Sequence, residues 1–238
     1  MDVRAYAVVE EKGLLTPWNF TRRDVGAGDV AIEIEFSGVC HSDIHTARSE
    51  WGDITFPCVP GHEIVGRVTG LGEGASKFEV GQRVGVGVYV DSCRTCKNCL
   101  SGMTNYCEEG FTGTYNTPER SGEGITQGGY ATGIVVNEDY VVSVPESLDP
   151  AGAAPLLCAG ITLYSPLKEF GAGPGVKVGI VGLGGLGHMG VKYAVAMGAE
   201  VTVFSHSESK REDALAMGAH HFVVTTDETV FTTHAKEF

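Results

Sequence analysis

Apolar and polar residues alternate with period two over Ala31-Ile32-Glu33-Ile34-Glu35-Phe36, which predicts a half-buried β-strand. Segments 65–70 and 82–88 repeat the pattern, with glycines that suit bulges and tight bends. Few long helical patterns occur before about residue 145, so this part reads as a β-rich, glycine-bent, barrel-like domain. After Pro155 the texture changes to helix and strand in alternation. Residues 176–181 read as an apolar run, the mark of a parallel strand buried on both faces. The turn Gly182-Leu183-Gly184-Gly185-Leu186-Gly187 follows, then a helical pattern to Met197 with Gly198 as its C-terminal cap. A strand at 201–204, a helix at 210–217 ending on Gly218, and a strand at 222–224 complete the pattern. The two helices close on the same Ala-Met-Gly-Ala sequence, at 196–199 and 216–219. This order predicts the first half of a doubly wound nucleotide-binding fold, with domains at 1–152 and 153–238.

Composition narrows the class. The 238 residues are 42% apolar, enough to close a core, and the 34 glycines follow no triplet period, so disordered and collagen-like chains are excluded. No stretch approaches the ~18–20 uncharged apolar residues of a membrane span. The start, Met1-Asp2-Val3-Arg4, does not read as a secretory signal. A net charge of −13 repels a phosphate backbone and argues against a nucleic-acid partner. Seven cysteines, an odd number without an export signal, point to a reducing cytoplasm and to metal ligation rather than disulfides.

Cys93, Cys96, Cys99 and Cys107 follow C-x2-C-x2-C-x7-C, a set of four thiolates that closes a tetrahedral structural zinc site. Three cysteines at such intervals also begin an iron–sulfur run, but there the fourth follows more closely and precedes proline. Here Glu108 follows Cys107. A second group is dispersed: Cys40, His62 and Cys158. No spacing rule joins them, and each alone reads equally as a core thiol or a satisfied histidine; together they are a known open zinc set. Cys58 fits neither group and reads as structural.

Gly182, Gly184 and Gly187 spell G-x-G-x-x-G between a predicted strand and a predicted helix, the context in which a pyrophosphate meets a helix N-terminus. An NAD site would carry an acidic residue about 20 positions on, at the end of the second strand. This chain has Ser205-His206-Ser207-Glu208-Ser209-Lys210-Arg211 there. Hydroxyls and cations favour a 2′-phosphate, hence NADP, with Glu208 as the dissonant residue. Ser207 or Ser209 also reads as a helix N-cap.

Taken together, Gly-Val-Cys-His-Ser-Asp (38–43), Pro-Gly-His-Glu (60–63), the four-cysteine lobe, Cys-Ala-Gly-Ile-Thr (158–162) and the glycine turn resemble the zinc-dependent alcohol dehydrogenases of the medium-chain superfamily, in their cinnamyl-alcohol-dehydrogenase-like branch. The resemblance implies a GroES-like catalytic domain followed by a partial Rossmann domain. It implies two zinc ions per chain: a catalytic one on Cys40, His62 and Cys158, with Glu63 a transient ligand, and a structural one on the four cysteines. Ser42 and His45 match the family's proton relay, and Asp43 steadies a zinc-bound histidine. Thr162 matches a nicotinamide-side contact, the 182–187 turn the pyrophosphate contact, and Ser205, Ser207 and Lys210 the 2′-phosphate clamp, with His206 where some relatives carry arginine. The implied reaction is hydride transfer between NADPH and an aldehyde or primary alcohol. Trp51, by itself, reads as a candidate pocket residue. By the same resemblance the chain ends, at 235–238, about a third short of the family's length. The parts beyond include the homodimer contact and a wall of the substrate pocket. The alternative is therefore a chain that binds zinc, and NADP, without turnover.

Overall fold

The computed structural model describes residues 1–120, 122, 124–227 and 229–234; the final residues 235–238 lie outside the described set. Two compact units divide between Cys158 and Ala159, six residues beyond the expected 152/153 boundary. The shift has a packing cause. Residues 150–157 look helical, but Ala153, Ala154 and Leu157 pack on Val65 and Val144 in a core of the first unit.

In the first unit, strands β1 (Asp2–Ala7) and β2 (Thr16–Thr21) form an antiparallel hairpin. Strands β3 (Asp29–Ser37), β4 (Ile64–Leu71) and β5 (Arg83–Val86) lead to a small pair, β6 (Tyr89–Asp91) with β7 (Thr112–Gly113). Strands β8 (Gly133–Asn137) and β9 (Val141–Ser143) complete a five-stranded antiparallel sheet of order β8-β3-β4-β5-β9. Val30, Ile32, Val68, Val84, Val86, Ile134, Val136 and Val141 come from all five strands and share one core. Both edges of the sheet therefore curl around the same apolar centre, as a barrel-like domain requires. Among the described residues three short α-helices flank the sheet: α1 (His41–Ala47), α2 (Lys97–Leu100) and α3 (Pro150–Ala153).

Two local expectations change. The period-two burial expected over 31–36 holds only in part: residues 29–32 are all buried, and Phe36 is exposed. Register shifts between Ala31 and Ile32 and between Ile34 and Phe36 reset which face each residue takes. The single strand expected over 82–88 ends at Val86, because the chain leaves the sheet at Gly87 to pair β6 with β7.

The second unit holds α4 (Ala159–Glu169), then β10 (Lys177–Val181), α5 (Gly185–Ala196), β11 (Glu200–Ser205), α6 (Arg211–Ala216), β12 (His221–Val224) and α7 (Thr229–His234). The three strands form a parallel sheet of order β10-β11-β12. Gly198 and Gly218 follow α5 and α6 at φ +89° and +100°, the left-handed conformation of a helix C-terminal cap. The twin sequences close alike: Ala199 N–H donates to Ala194 O at 3.0 Å and Ala219 N–H to Ala214 O at 3.1 Å. β10 is not buried on both faces as expected. Lys177 interrupts its apolar run, Val181 is 79% exposed, and among the described residues β10 is a sheet edge. No helix among the described residues is long and apolar enough to cross a membrane.

Candidate metal centres and nucleotide-binding turn

Cys40 caps the N-terminus of α1, and Asp43, three residues on, accepts its backbone N–H at 2.9 Å. The buried Asp43 carboxylate also accepts from Gly61 N–H at 3.0 Å, from the Tyr130 hydroxyl at 2.9 Å and from His62 Nδ1 at 3.2 Å. One side chain thus ties together the two segments that carry Cys40 and His62. Burial works against its charge, but hydrogen bonds from His62 and from Cys40 N–H hold its pKa below the ordinary value.

With Nδ1 on Asp43, His62 directs Nε2 inward, where it is buried and has no hydrogen-bond partner. Burial disfavours charge on the ring, but Asp43 and Cys158 overcome this and raise its pKa to about 11. With Nδ1–H held by a carboxylate, Nε2 is the atom left to ligate a metal ion, and the carboxylate makes it a more basic donor. The donor atoms of Cys40, His62, Glu63 and Cys158 all lie within 4.8 Å of one another. Two zinc–sulfur bonds of about 2.3 Å at the tetrahedral angle hold their sulfurs about 3.8 Å apart; Cys40 Sγ and Cys158 Sγ are 3.9 Å apart. The orphaned imidazole nitrogen and the sulfur spacing both fit zinc. Glu63 is buried, and a Cβ on Gly38 would sit 2.0 Å from its Oε2. Burial lifts the Glu63 pKa, with His62 opposing and Asp43 adding to the rise.

Ser42 Oγ lies 3.6 Å from Cys40 Sγ. His45 falls three residues along α1 from Ser42, hence on the same face. Its ring stacks on Trp51 at 4.7 Å between centroids, and its Nδ1 pairs with the Glu50 carboxylate. Glu50 is absent from the residues singled out in the sequence. Ser49 takes φ +55° and turns the chain back, so that Glu50 N–H donates to His45 O at 2.9 Å. Serine is not a residue whose type announces a left-handed turn, so nothing in the sequence marked the pair. Cys58 is buried and belongs to neither ligand set, and burial, with the Asp43 charge adding, raises its thiol pKa to about 12.

The four-cysteine lobe is built around sulfurs that accept backbone N–H groups. Cys96 N–H donates to Cys93 Sγ at 3.3 Å, Cys93 N–H to Cys107 Sγ at 3.4 Å, and Cys99 and Glu108 N–H to Cys96 Sγ at 3.5 Å each. The N–H groups of Cys96 and Thr95 lower the Cys93 thiol pKa and so favour the thiolate form that ligates metal. Cys93 Sγ and Cys99 Sγ are 3.8 Å apart, again the tetrahedral spacing, and all four donor atoms lie within 4.8 Å. None of the seven cysteines forms a disulfide.

In the second unit the glycine turn joins β10 to α5. Gly182 takes φ +85° and donates its N–H to Phe204 O at 2.7 Å. A Cβ on Gly187 would lie 2.0 Å from Gly182 O, so only glycine lets the helix pass the turn this closely. Beside Gly184 and Gly185 a Cβ would meet nothing within 4 Å, which leaves the N-terminal face of α5 open to a phosphate. After β11, Ser205 is buried and its Oγ accepts Ser207 N–H at 3.2 Å. Ser207 takes the N-cap position of the short 3-10 turn at 208–210, as expected, though its hydroxyl makes no capping bond and pairs with Ser209 at 2.9 Å. Glu208 turns onto Arg211 at 2.5 Å, which removes the dissonant carboxylate from the strand end but also engages Arg211. His206 is exposed, Lys210 reaches back to the turn, and Thr162 is exposed on α4.

A curled antiparallel domain that gathers cysteine sulfurs around an imidazole, followed by a parallel sheet opening on a glycine turn, is the architecture of a metal-binding dehydrogenase. Known proteins agree. Residues 26–146 match the alcohol dehydrogenase GroES-like domain, and residues 185–238 match the zinc-binding dehydrogenase domain. The chain is 54% identical over 237 residues to NADP-dependent alcohol dehydrogenase C 1 of Mycolicibacterium smegmatis, covering 99% of this chain and 68% of that protein. It is 51% identical to aldehyde reductase YahK of Escherichia coli, covering 100% of this chain and 68% of that one. Among solved structures, cinnamyl alcohol dehydrogenase SbCAD4 from Sorghum bicolor superposes with a TM-score of 0.94 at 46% identity, over 98% of this chain and 67% of that one. The chain belongs to the zinc-binding alcohol dehydrogenase family.

Proposed function

We propose that this chain carries the zinc sites and the cofactor turn of an NADP(H)-dependent alcohol dehydrogenase that interconverts aldehydes and primary alcohols. The observation that carries the reading is the first-unit cluster: two thiol sulfurs 3.9 Å apart facing a buried imidazole nitrogen without a hydrogen-bond partner. Cys40, His62 and Cys158 would hold a catalytic zinc, with Glu63 in reach as an occasional fourth ligand; Cys93, Cys96, Cys99 and Cys107 would hold a structural one. A zinc ion with three protein ligands supplies Lewis-acid polarisation of a carbonyl and lowers the pKa of an alcohol.

The chain's own groups do the rest. Asp43 fixes the His62 tautomer so that Nε2 is the ligating atom. Ser42 stands beside Cys40, placed to exchange a proton with the substrate oxygen. His45, held through Nδ1 by Glu50, keeps Nε2 for passing that proton on. The open face at Gly184 and Gly185 receives the pyrophosphate. Ser205, Ser207, His206 and Lys210 recognise the 2′-phosphate, helped by the turning away of Glu208. The NADP-dependent relative supports this cofactor choice.

Elemental analysis and NADPH oxidation with a panel of aldehydes test the reading together. It requires two zinc ions per chain and aldehyde-dependent NADPH loss. Two ions without NADPH consumption would assign binding without turnover to this chain. Fewer than two per folded chain would overturn the ligand sets.

A further inference from the structure

Lys210 makes a contact that a residue serving only a 2′-phosphate would not need. Its Nζ donates to the backbone carbonyl of Leu183 at 2.7 Å, across 27 residues, from the start of α6 to the middle of the glycine turn. The Leu183 side chain is anchored separately, buried in the core of the second unit. We propose that Lys210 is a positioning residue for the pyrophosphate-binding turn, acting through the Leu183 carbonyl whether or not a 2′-phosphate is present.

The argument is one of peptide geometry. In a trans peptide, C=O and N–H point in opposite directions within one plane. Holding the Leu183 carbonyl toward Lys210 therefore aims the Gly184 N–H away from it. Gly184 is the N-cap of α5, so this plane sets the first of the donors at the helix start. The turn needs such a restraint. Gly182, Gly184 and Gly185 have no Cβ to limit their dihedral angles, and around all three a Cβ would meet nothing within 4 Å. Packing therefore restrains these peptides little. Gly182 N–H on Phe204 O fixes the entry to the turn and the close pass of Gly187 fixes its exit. His188 N–H donates to Gly184 O at 3.1 Å within the first turn of α5, and Lys210 reaches the preceding Leu183–Gly184 peptide from outside the turn. The ammonium has three donors, so one on Leu183 leaves two for a ligand.

This inference rests on the dinucleotide reading of the turn, and the test separates the two. Lys210→Met keeps the length of the side chain and removes both donor and charge. Affinities for NADP and for NAD are measured by titration, with hydrogen–deuterium exchange of the unliganded protein over residues 182–187. If loss of the contact drops the binding-competent fraction of the turn to between a tenth and a fifth, NAD affinity falls about five- to tenfold, although NAD has no 2′-phosphate. NADP affinity falls further. Exchange across the turn accelerates while strand β11 stays protected, which shows that the unit remains folded. Lys210→Arg, which keeps donor and charge, restores NAD affinity. Weakened NADP binding with NAD affinity and turn exchange unchanged would overturn the inference and leave the phosphate clamp standing. No effect on either nucleotide would overturn both roles of Lys210.

Discussion

Replacing Asp43 with alanine tests how the first-unit cluster is held together. The carboxylate accepts hydrogen bonds from Cys40 N–H at 2.9 Å, Gly61 N–H at 3.0 Å, the Tyr130 hydroxyl at 2.9 Å and His62 Nδ1 at 3.2 Å. A buried donor left without a partner costs about 1–3 kcal/mol, so the two fully buried ones, Gly61 N–H and His62 Nδ1, give about 2–6 kcal/mol, and the part-buried Cys40 N–H and Tyr130 hydroxyl add less. Water entering the vacated space and rotation of the Tyr130 hydroxyl offset part of this. Breaking one side of a buried charged network is typically worth about 3–5 kcal/mol, and that is the loss expected here. It is a large share of the ~5–15 kcal/mol that keeps a domain folded. Urea unfolding of the zinc-loaded protein reads the stability, and a chelator competition reads the metal. Zinc at Cys40, His62 and Cys158 should bind about 10–100-fold more weakly once His62 loses its orienting partner. The four-cysteine lobe should keep its ion. A stability loss below about 1 kcal/mol, smaller than one orphaned buried donor, with unchanged chelator resistance at both sites, would refute the account.

Asp43 also has a pH signature. Its pKa is depressed in the folded state, so its stabilisation is complete above the unfolded value near 4 and is lost as pH falls through the lower folded value. The advantage of wild type over Asp43→Asn in urea should therefore shrink on acidification through that range. Cys96→Ser should remove one zinc per chain and lower the melting temperature, since structural zinc binding contributes to folding; unchanged metal content would count against the lobe assignment. Gly187→Ala places a Cβ 2.0 Å from Gly182 O, so the turn must open, and NADPH binding measured by fluorescence should be lost while both zinc ions remain. Ser205→Asp puts a carboxylate where the 2′-phosphate is read, and titration should show the NADP preference falling by at least tenfold, the equivalent of one charge-assisted hydrogen bond of about 1.5 kcal/mol.

Much of this protein is legible without coordinates where the relevant contacts are local. Cys93, Cys96, Cys99 and Cys107 lie in one short lobe, where N–H···S hydrogen bonds between near neighbours set the sulfur positions. Their spacing alone therefore announces a metal loop. The glycine turn, and the two helices that end on Gly198 and Gly218, are equally local: glycine at a left-handed position is a statement about backbone dihedrals, which the residue type carries with it.

Contacts between distant segments belong to the tertiary structure. Cys40 and Cys158 are 118 residues apart, and no spacing rule could bring their sulfurs to 3.9 Å; the residues alone left them equally readable as core thiols. What joins Cys40 to His62 is the burial of Asp43 among donors from 40, 61, 62 and 130, which depends on the register of the curled sheet. The pairing of His45 with Glu50 needed a left-handed serine, and the turning of Glu208 onto Arg211 needed one side-chain choice among several. Even the burial of a strand escaped its pattern: bulges in β3 put Phe36 on the solvent side, and Val181 at the end of β10 is exposed. The residue sequence determined which chemical groups were present and which turns they could make. The fold decided which of those groups share a low-dielectric space, and there proximity, not order along the chain, sets tautomer, charge and coordination.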